Sequence, residues 1–82
     1  MTSAPKGRIS RIDVRGLEPP EPMEHVLDAL LVLPAGDHLQ VLLDREPRPL
    51  YRILDTNGYK YSTSQHAGAH VEILIWHNEL LQ

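Results

Sequence analysis

A chain of 82 residues has room for one domain, and its core must be economical or shared with a partner. A net charge of −3 argues against a nucleic-acid binder, which needs a basic face. The absence of cysteine excludes disulfides, thiolate catalysis and Cys-ligated zinc or iron–sulfur centres. No apolar run approaches the ~20 residues of a membrane helix, so no membrane association is expected. The leading stretch Met1 to Arg8 has no apolar segment of the kind a secretory signal carries, and the expected compartment is cytoplasmic. Aromatic residues are limited to Trp76, Tyr51, Tyr59 and Tyr61, so the core must be Leu, Ile and Val.

Residues 1–7 are small and polar and read as a flexible arm ahead of a single domain at 8–77. The first strand runs from about Arg8 to Val14, with Ile12 and Val14 on one face and Arg11 and Asp13 on the other. Arg15-Gly16-Leu17 ends it. Glu18-Pro19-Pro20-Glu21-Pro22 then forms a stiff turn that opens a helix, since proline is tolerated in a first helical turn but not in an interior. Met23, Val26, Leu27 and Leu30 form its apolar stripe, with Leu31 and Leu33 as further apolar neighbours. Glu21 and Glu24 complement its dipole, and Pro34-Ala35-Gly36-Asp37 stops it.

The second strand, His38 to Leu43, alternates Leu39, Val41 and Leu43 with His38, Gln40 and Leu42. Asp44-Arg45-Glu46-Pro47-Arg48-Pro49 is another proline turn opening a helix whose stripe is Leu50, Ile53 and Leu54, ended by Asn57-Gly58. Tyr59 to Thr63 alternates as a strand, and Gln65 to Ala69 reads as a turn around Gly68. His70 to His77 is the strongest strand. Val71, Ile73 and Ile75 occupy one face, and Glu72, Leu74 and Trp76 the other. Residues 78–82 are a short tail. The order βαβαββ predicts an α/β fold: a two-layer α/β sandwich with a four-stranded mixed sheet and both helices on one face. Its first two strands should be parallel, with right-handed crossovers.

The run Ile12-Asp13-Val14-Arg15-Gly16-Leu17-Glu18-Pro19-Pro20-Glu21-Pro22-Met23 resembles the signature of the TusA/SirA-like sulfur carriers. In that family an Asp-x-Arg-Gly-Leu-like strand end is followed by Cys-Pro-x-Pro at the start of the first helix. The likeness covers most of residues 9–77 and implies the same βαβαββ fold. The carriers' cysteine falls on Pro19, which has neither a nucleophile nor a backbone N–H, so persulfide chemistry has no thiolate to use. Together with Asp44-Arg45-Glu46-Pro47-Arg48-Pro49-Leu50-Tyr51, the motif is similar to a cysteine-less sister branch of bacterial domains, domain of unknown function 2249. Members occur alone, duplicated, or beside hemerythrin-like and other redox-associated domains. The resemblance implies a bacterial cytosolic setting and no particular activity.

Parallel first strands would bring their carboxyl ends and both helix N-termini to one sheet edge, where α/β proteins favour ligands. That edge would carry Arg15, Glu18, Pro20 and Glu21 from one crossover, and Asp44, Arg45, Glu46 and Arg48 from the other. Helix N-termini with arginines suit a small anion or an acidic partner segment. The competing reading is two structural proline turns whose carboxylates neutralise the arginines. On the uncovered sheet face, Leu42, Leu74 and Trp76 are candidates for an interface, unless the last strand has the opposite parity and Trp76 enters the core. No metal site is expected. His66, His70 and His77 come nearest to one, but their spacing matches no helical ligand pattern. Ser62, Thr63 and Ser64 near His66 lack a Gly-x-Ser-x-Gly elbow, and no phosphate loop is present, so neither catalysis nor a cofactor is expected. The reading is a non-enzymatic binding or protein-interaction module with a protein partner or a second copy of itself. The alternative is a small-anion or metal-binding protein linked to redox, sulfur or nitrogen metabolism.

Overall fold

Apolar residues recur at period two along residues 38–43 and 70–77 and at helical spacing between the strands, and the chain folds as that pattern dictates. A computed structural model describes residues 7–68 and 70–78. The elements are β1 (Ile9–Asp13), α1 (Glu21–Leu31), β2 (His38–Leu43), α2 (Arg48–Thr56), β3 (Tyr59–His66) and β4 (His70–His77), in the order βαβαββ. They form a four-stranded sheet in the order β1-β2-β4-β3. β1 and β2 are parallel, whereas β4 is antiparallel to both β2 and β3, so the sheet is mixed.

The placement of β4 inside the sheet follows from composition. Its Val71, Ile73 and Ile75 are buried, whereas β3 is largely polar and exposed. A polar strand at the edge leaves unpaired backbone groups in water and blunts edge-to-edge association. Val26 and Leu30 of α1 and Leu50 and Leu54 of α2 bury against Leu39, Val41 and Leu43 of β2 and the apolar side of β4. Burying each such side chain contributes on the order of 1.5–3 kcal/mol. Among the described residues the opposite sheet face has no helix. Paired residues share a face, so Arg11, Gln40, Leu74 and Ser62 lie on this open side.

Neither helix has a side-chain cap. Pro20 and Pro47 occupy the N-cap positions, with Pro22 and Pro49 in the first turns, and the Pro19–Pro20 peptide is cis. The α2 helix ends as expected, but the left-handed residue is Gly58, at φ 80°, while Asn57 keeps a negative φ. A side chain there would be strained.

Two details depart from the pattern. β3 runs on through Ser64, Gln65 and His66, which pair with Glu72, Val71 and His70. The expected turn at 65–69 is therefore shorter, because ladder pairing extends through polar residues that carry no apolar alternation. Leu31 and Val32 are 83% and 79% exposed, since the helix turns them away from the sheet. The ladder continues past β1 to the expected limits Arg8 and Val14: His38 N–H donates to Arg8 C=O at 2.8 Å and Val14 N–H to Leu42 C=O at 2.9 Å. Gly7 packs so closely on the Gly36 carbonyl that no Cβ would fit. The rest of the expected arm and all of the tail except Asn78 lie outside the described residues. Asn78 N–H donates to Gly58 C=O at 2.8 Å. Among the described residues no helix is long and apolar enough to cross a membrane.

Candidate functional site

Because β1 and β2 are parallel, both crossovers leave from one edge, and a groove of about 470 Å³ lies between them. Val14, Leu17, Pro19 and Pro20 line it from the first crossover, and Pro22, Met23 and Val26 from the start of α1. Leu43, Asp44, Arg45, Glu46, Pro47 and Pro49 form the facing wall. The volume falls within the range of small-molecule pockets, about 300–1,000 Å³. Five of these lining residues are prolines, whose locked φ holds both lips in place.

The charged residues at this edge are largely engaged in holding it together. Arg15 donates from Nε to Asp13 Oδ1 at 2.9 Å and from its guanidinium to Oδ2 at 2.7 Å. These hydrogen bonds hold the Asp13 carboxyl down at about 2 and raise the Arg15 guanidinium further. Asp44 accepts the Gly16 N–H at 2.8 Å, tying one crossover to the other. Glu46 accepts the Tyr51 hydroxyl at 3.0 Å and lies 3.8 Å from Arg48. The Tyr51 hydroxyl is also 2.8 Å from Thr63 Oγ1, and its ring stacks on Tyr61 at 4.8 Å. Burial pushes the Tyr51 hydroxyl up.

The helix N-termini offer little to an anion. In α2 the Arg48 N–H donates to Glu46 C=O, the Leu50 N–H donates to Pro47 C=O, and Pro49 has no N–H. In α1 the Glu21 N–H donates to Glu18 C=O and Pro22 has none. Among the described residues Glu18, Glu21 and Arg45 form no ion pair. The fold brings all eight expected edge residues to one end. It uses Arg15, Asp44, Glu46 and Arg48 in the frame, while the apolar lining comes from Leu17, Met23, Val26 and the prolines. Charge drew attention to the edge, but the groove itself needed Val14 and Leu43 juxtaposed with α1, which no local pattern reveals.

The three histidines do not converge. His77 lies at the far end of β4 on the helix side, 2.9 Å from Leu33 C=O through Nε2 and packed on Tyr59 at 4.9 Å. Its strand position puts it a whole strand length from His70. His66 and His70 do meet, as the last cross-strand pair before the hairpin turn, with rings stacked at 4.6 Å. The third residue beside them is Glu72, whose Oε1 is 3.1 Å from His66 Nε2 and 3.9 Å from His70 Nε2. The period-two spacing of His70 and Glu72 carried that signal, but His66 joins them only once β3 extends to it.

On the open face Leu74 and Trp76 are half-buried, and Trp76 packs against His38 at 5.4 Å. Leu42 shares that face but is only 4% exposed, set in register between Asp13 and Glu72. The expectation that it joins them in an exposed patch is therefore corrected: its neighbours on both strands cover it.

These features define a small two-layer α/β domain with a proline-framed, largely apolar groove at the carboxyl ends of its parallel strands and no thiol at that edge. The chain belongs to the family described as "Uncharacterized conserved protein (DUF2249)", which it matches over residues 11–77. No curated protein and no solved structure matches it.

Proposed function

We propose that this protein is a non-enzymatic interaction module that takes an apolar side chain of a partner protein into the proline-framed groove. The observation that carries this is the groove's composition: an apolar floor of Val14, Leu17, Met23 and Val26 beneath a rim charged with both signs. An apolar anchor inside a polar rim is the anatomy of an interface hot spot. Proline lips are already ordered, so little entropy is lost when a partner docks. Arg15 is held by Asp13, and helix-terminal donors at Glu21, Arg48 and Leu50 are held by backbone carbonyls, which favours this occupant over a small anion. Asp44 and Glu46 are occupied by hydrogen bonds, and among the described residues no Ser, Thr, Cys or His lines the groove, which supports a role without catalysis.

The likeness of residues 12–23 to sulfur carriers fits an origin in which Pro19 replaced the cysteine and the edge passed from covalent transfer to binding. The same likeness suggests the bacterial cytoplasm as the setting.

The test is photocrosslinking from position 23 in cells, followed by titration of the captured partner's apolar segment, as a synthetic peptide, into isotope-labelled protein. Expected are NMR shifts confined to residues 14–26 and 43–49, and at least tenfold weaker binding in Met23→Glu. Shifts elsewhere, or equal binding by Met23→Glu, would overturn the proposal. So would a small apolar molecule retained in native mass spectrometry that blocks the groove to peptides.

A further inference from the structure

We propose that His66, His70 and Glu72 form a binding site for a first-row divalent transition metal on the open sheet face, with water completing the coordination. The site is separate from the groove, which lies on the helix side of the same sheet. All three side chains project from paired strands: His66 faces His70 directly across the hairpin, and Glu72 is two residues on from His70. Strand pairing therefore fixes their relative placement without help from a loop. One donor atom from each residue falls within 4.8 Å of the others.

Metal–nitrogen and metal–oxygen bonds of about 2.0–2.1 Å set neighbouring donor atoms about 3.0–3.5 Å apart. The His66–Glu72 separation of 3.1 Å already meets that spacing. The His70–Glu72 separation of 3.9 Å and the stacked His66 and His70 rings, 4.6 Å apart, require both imidazoles to rotate out of the stack to share one ion.

The two carboxylate oxygens are divided between roles. Gln40 on β2 donates its side-chain amide to Glu72 Oε2, and Oε1 is turned toward both imidazoles. An outer partner that orients a ligating carboxylate in this way is a regular feature of metal centres. Two neutral imidazoles and one carboxylate suit zinc, nickel, copper or ferrous iron, whereas calcium and magnesium prefer all-oxygen sets. His66 is half exposed and His70 is 19% exposed, so ions and water reach the site. As a plain ion pair the same contacts would contribute little at a surface.

The test uses the full chain without an affinity tag. Cobalt(II) is followed by its visible absorption and zinc(II) by calorimetry. Expected are one ion per chain and at least tenfold weaker binding in His66→Ala and in Glu72→Gln, with Gln40→Ala weakened by about tenfold. The exposed His25 on α1 is the control: His25→Ala should bind as the unmodified protein does. Lowering the pH should release the ion, because imidazole ligates only when neutral. Absence of binding, or binding unchanged in His66→Ala, would leave the cluster a surface ion pair and overturn the proposal. His66→Ala removes an exposed side chain, so its folding, checked by circular dichroism, keeps the test decisive even if Glu72→Gln is unstable.

Discussion

The helix side and the open side of the sheet meet at one end of the molecule with different chemistry and different construction. On the helix side, the groove depends on residues far apart in sequence: the Asp44–Gly16 bond joins the two crossovers, and Tyr51 links Glu46 to Thr63. On the open side, His66, His70 and Glu72 come from one hairpin and need only Gln40 from elsewhere. A tertiary site is lost when its ties loosen, while a register site survives as long as the ladder does. The two should therefore fail under different perturbations.

The largest expected effect abolishes the distinction. Ile73 is fully buried at the centre of β4 and belongs to the strand that supports both sites. Ile73→Ala should lower stability by about 2–5 kcal/mol in chemical denaturation and impair both sites together. Next comes the crosswise pair. Met23→Glu should weaken groove binding at least tenfold while leaving cobalt affinity unchanged, and His66→Ala should do the reverse, each read by the two titrations above. If either variant impaired both sites equally, their independence would be refuted.

A smaller effect is expected from Tyr51→Phe, which removes the hydroxyl shared by Glu46 and Thr63. Stability should fall by about 1 kcal/mol, with NMR shifts at residues 44–49 and none at 66–72. The smallest concerns pH. The Asp13 carboxyl lies at about 2 in the folded protein against an ordinary value of 3.8, because Arg15 hydrogen-bonds its ionised form. The folded state therefore binds this proton less readily than the unfolded one. The contribution is present above the unfolded value and is lost as pH falls from 3.8 toward 2. In Arg15→Ala the backbone N–H of residue 15 still donates to Asp13, so carbon NMR of the carboxyl should show its titration moving part of the way back toward 3.8, and this part of the acid dependence should shrink. Both groups are exposed, so the change in stability should be slight.

Much of the architecture was legible in the chain. Alternation along residues 38–43 and 70–77 placed β2 and β4, and the 3.6-residue stripes with their proline lead-ins placed both helices. The end of β3 was not legible, because Ser64, Gln65 and His66 are polar on both faces and owe their strand conformation to β4. The edge was visible through its arginines and glutamates, of which Arg15, Glu46 and Arg48 proved to be ties. The groove's apolar surface was not, because Leu17 and Met23 look locally like ordinary turn and helix residues. Sequence proximity also suggested grouping His77 with His66 and His70, although strand length carries it to the opposite end.

The order of elements and the absence of a thiol at position 19 were determined by the sequence alone. Periodicity, proline placement and composition are local properties that need no neighbours to act. Tertiary structure decided that β2 and β4 are central, that Leu42 is buried on the open face, and that Glu72 stands beside two histidines. Those outcomes depend on cross-strand register and on distances between segments tens of residues apart, and only the packed core sets them.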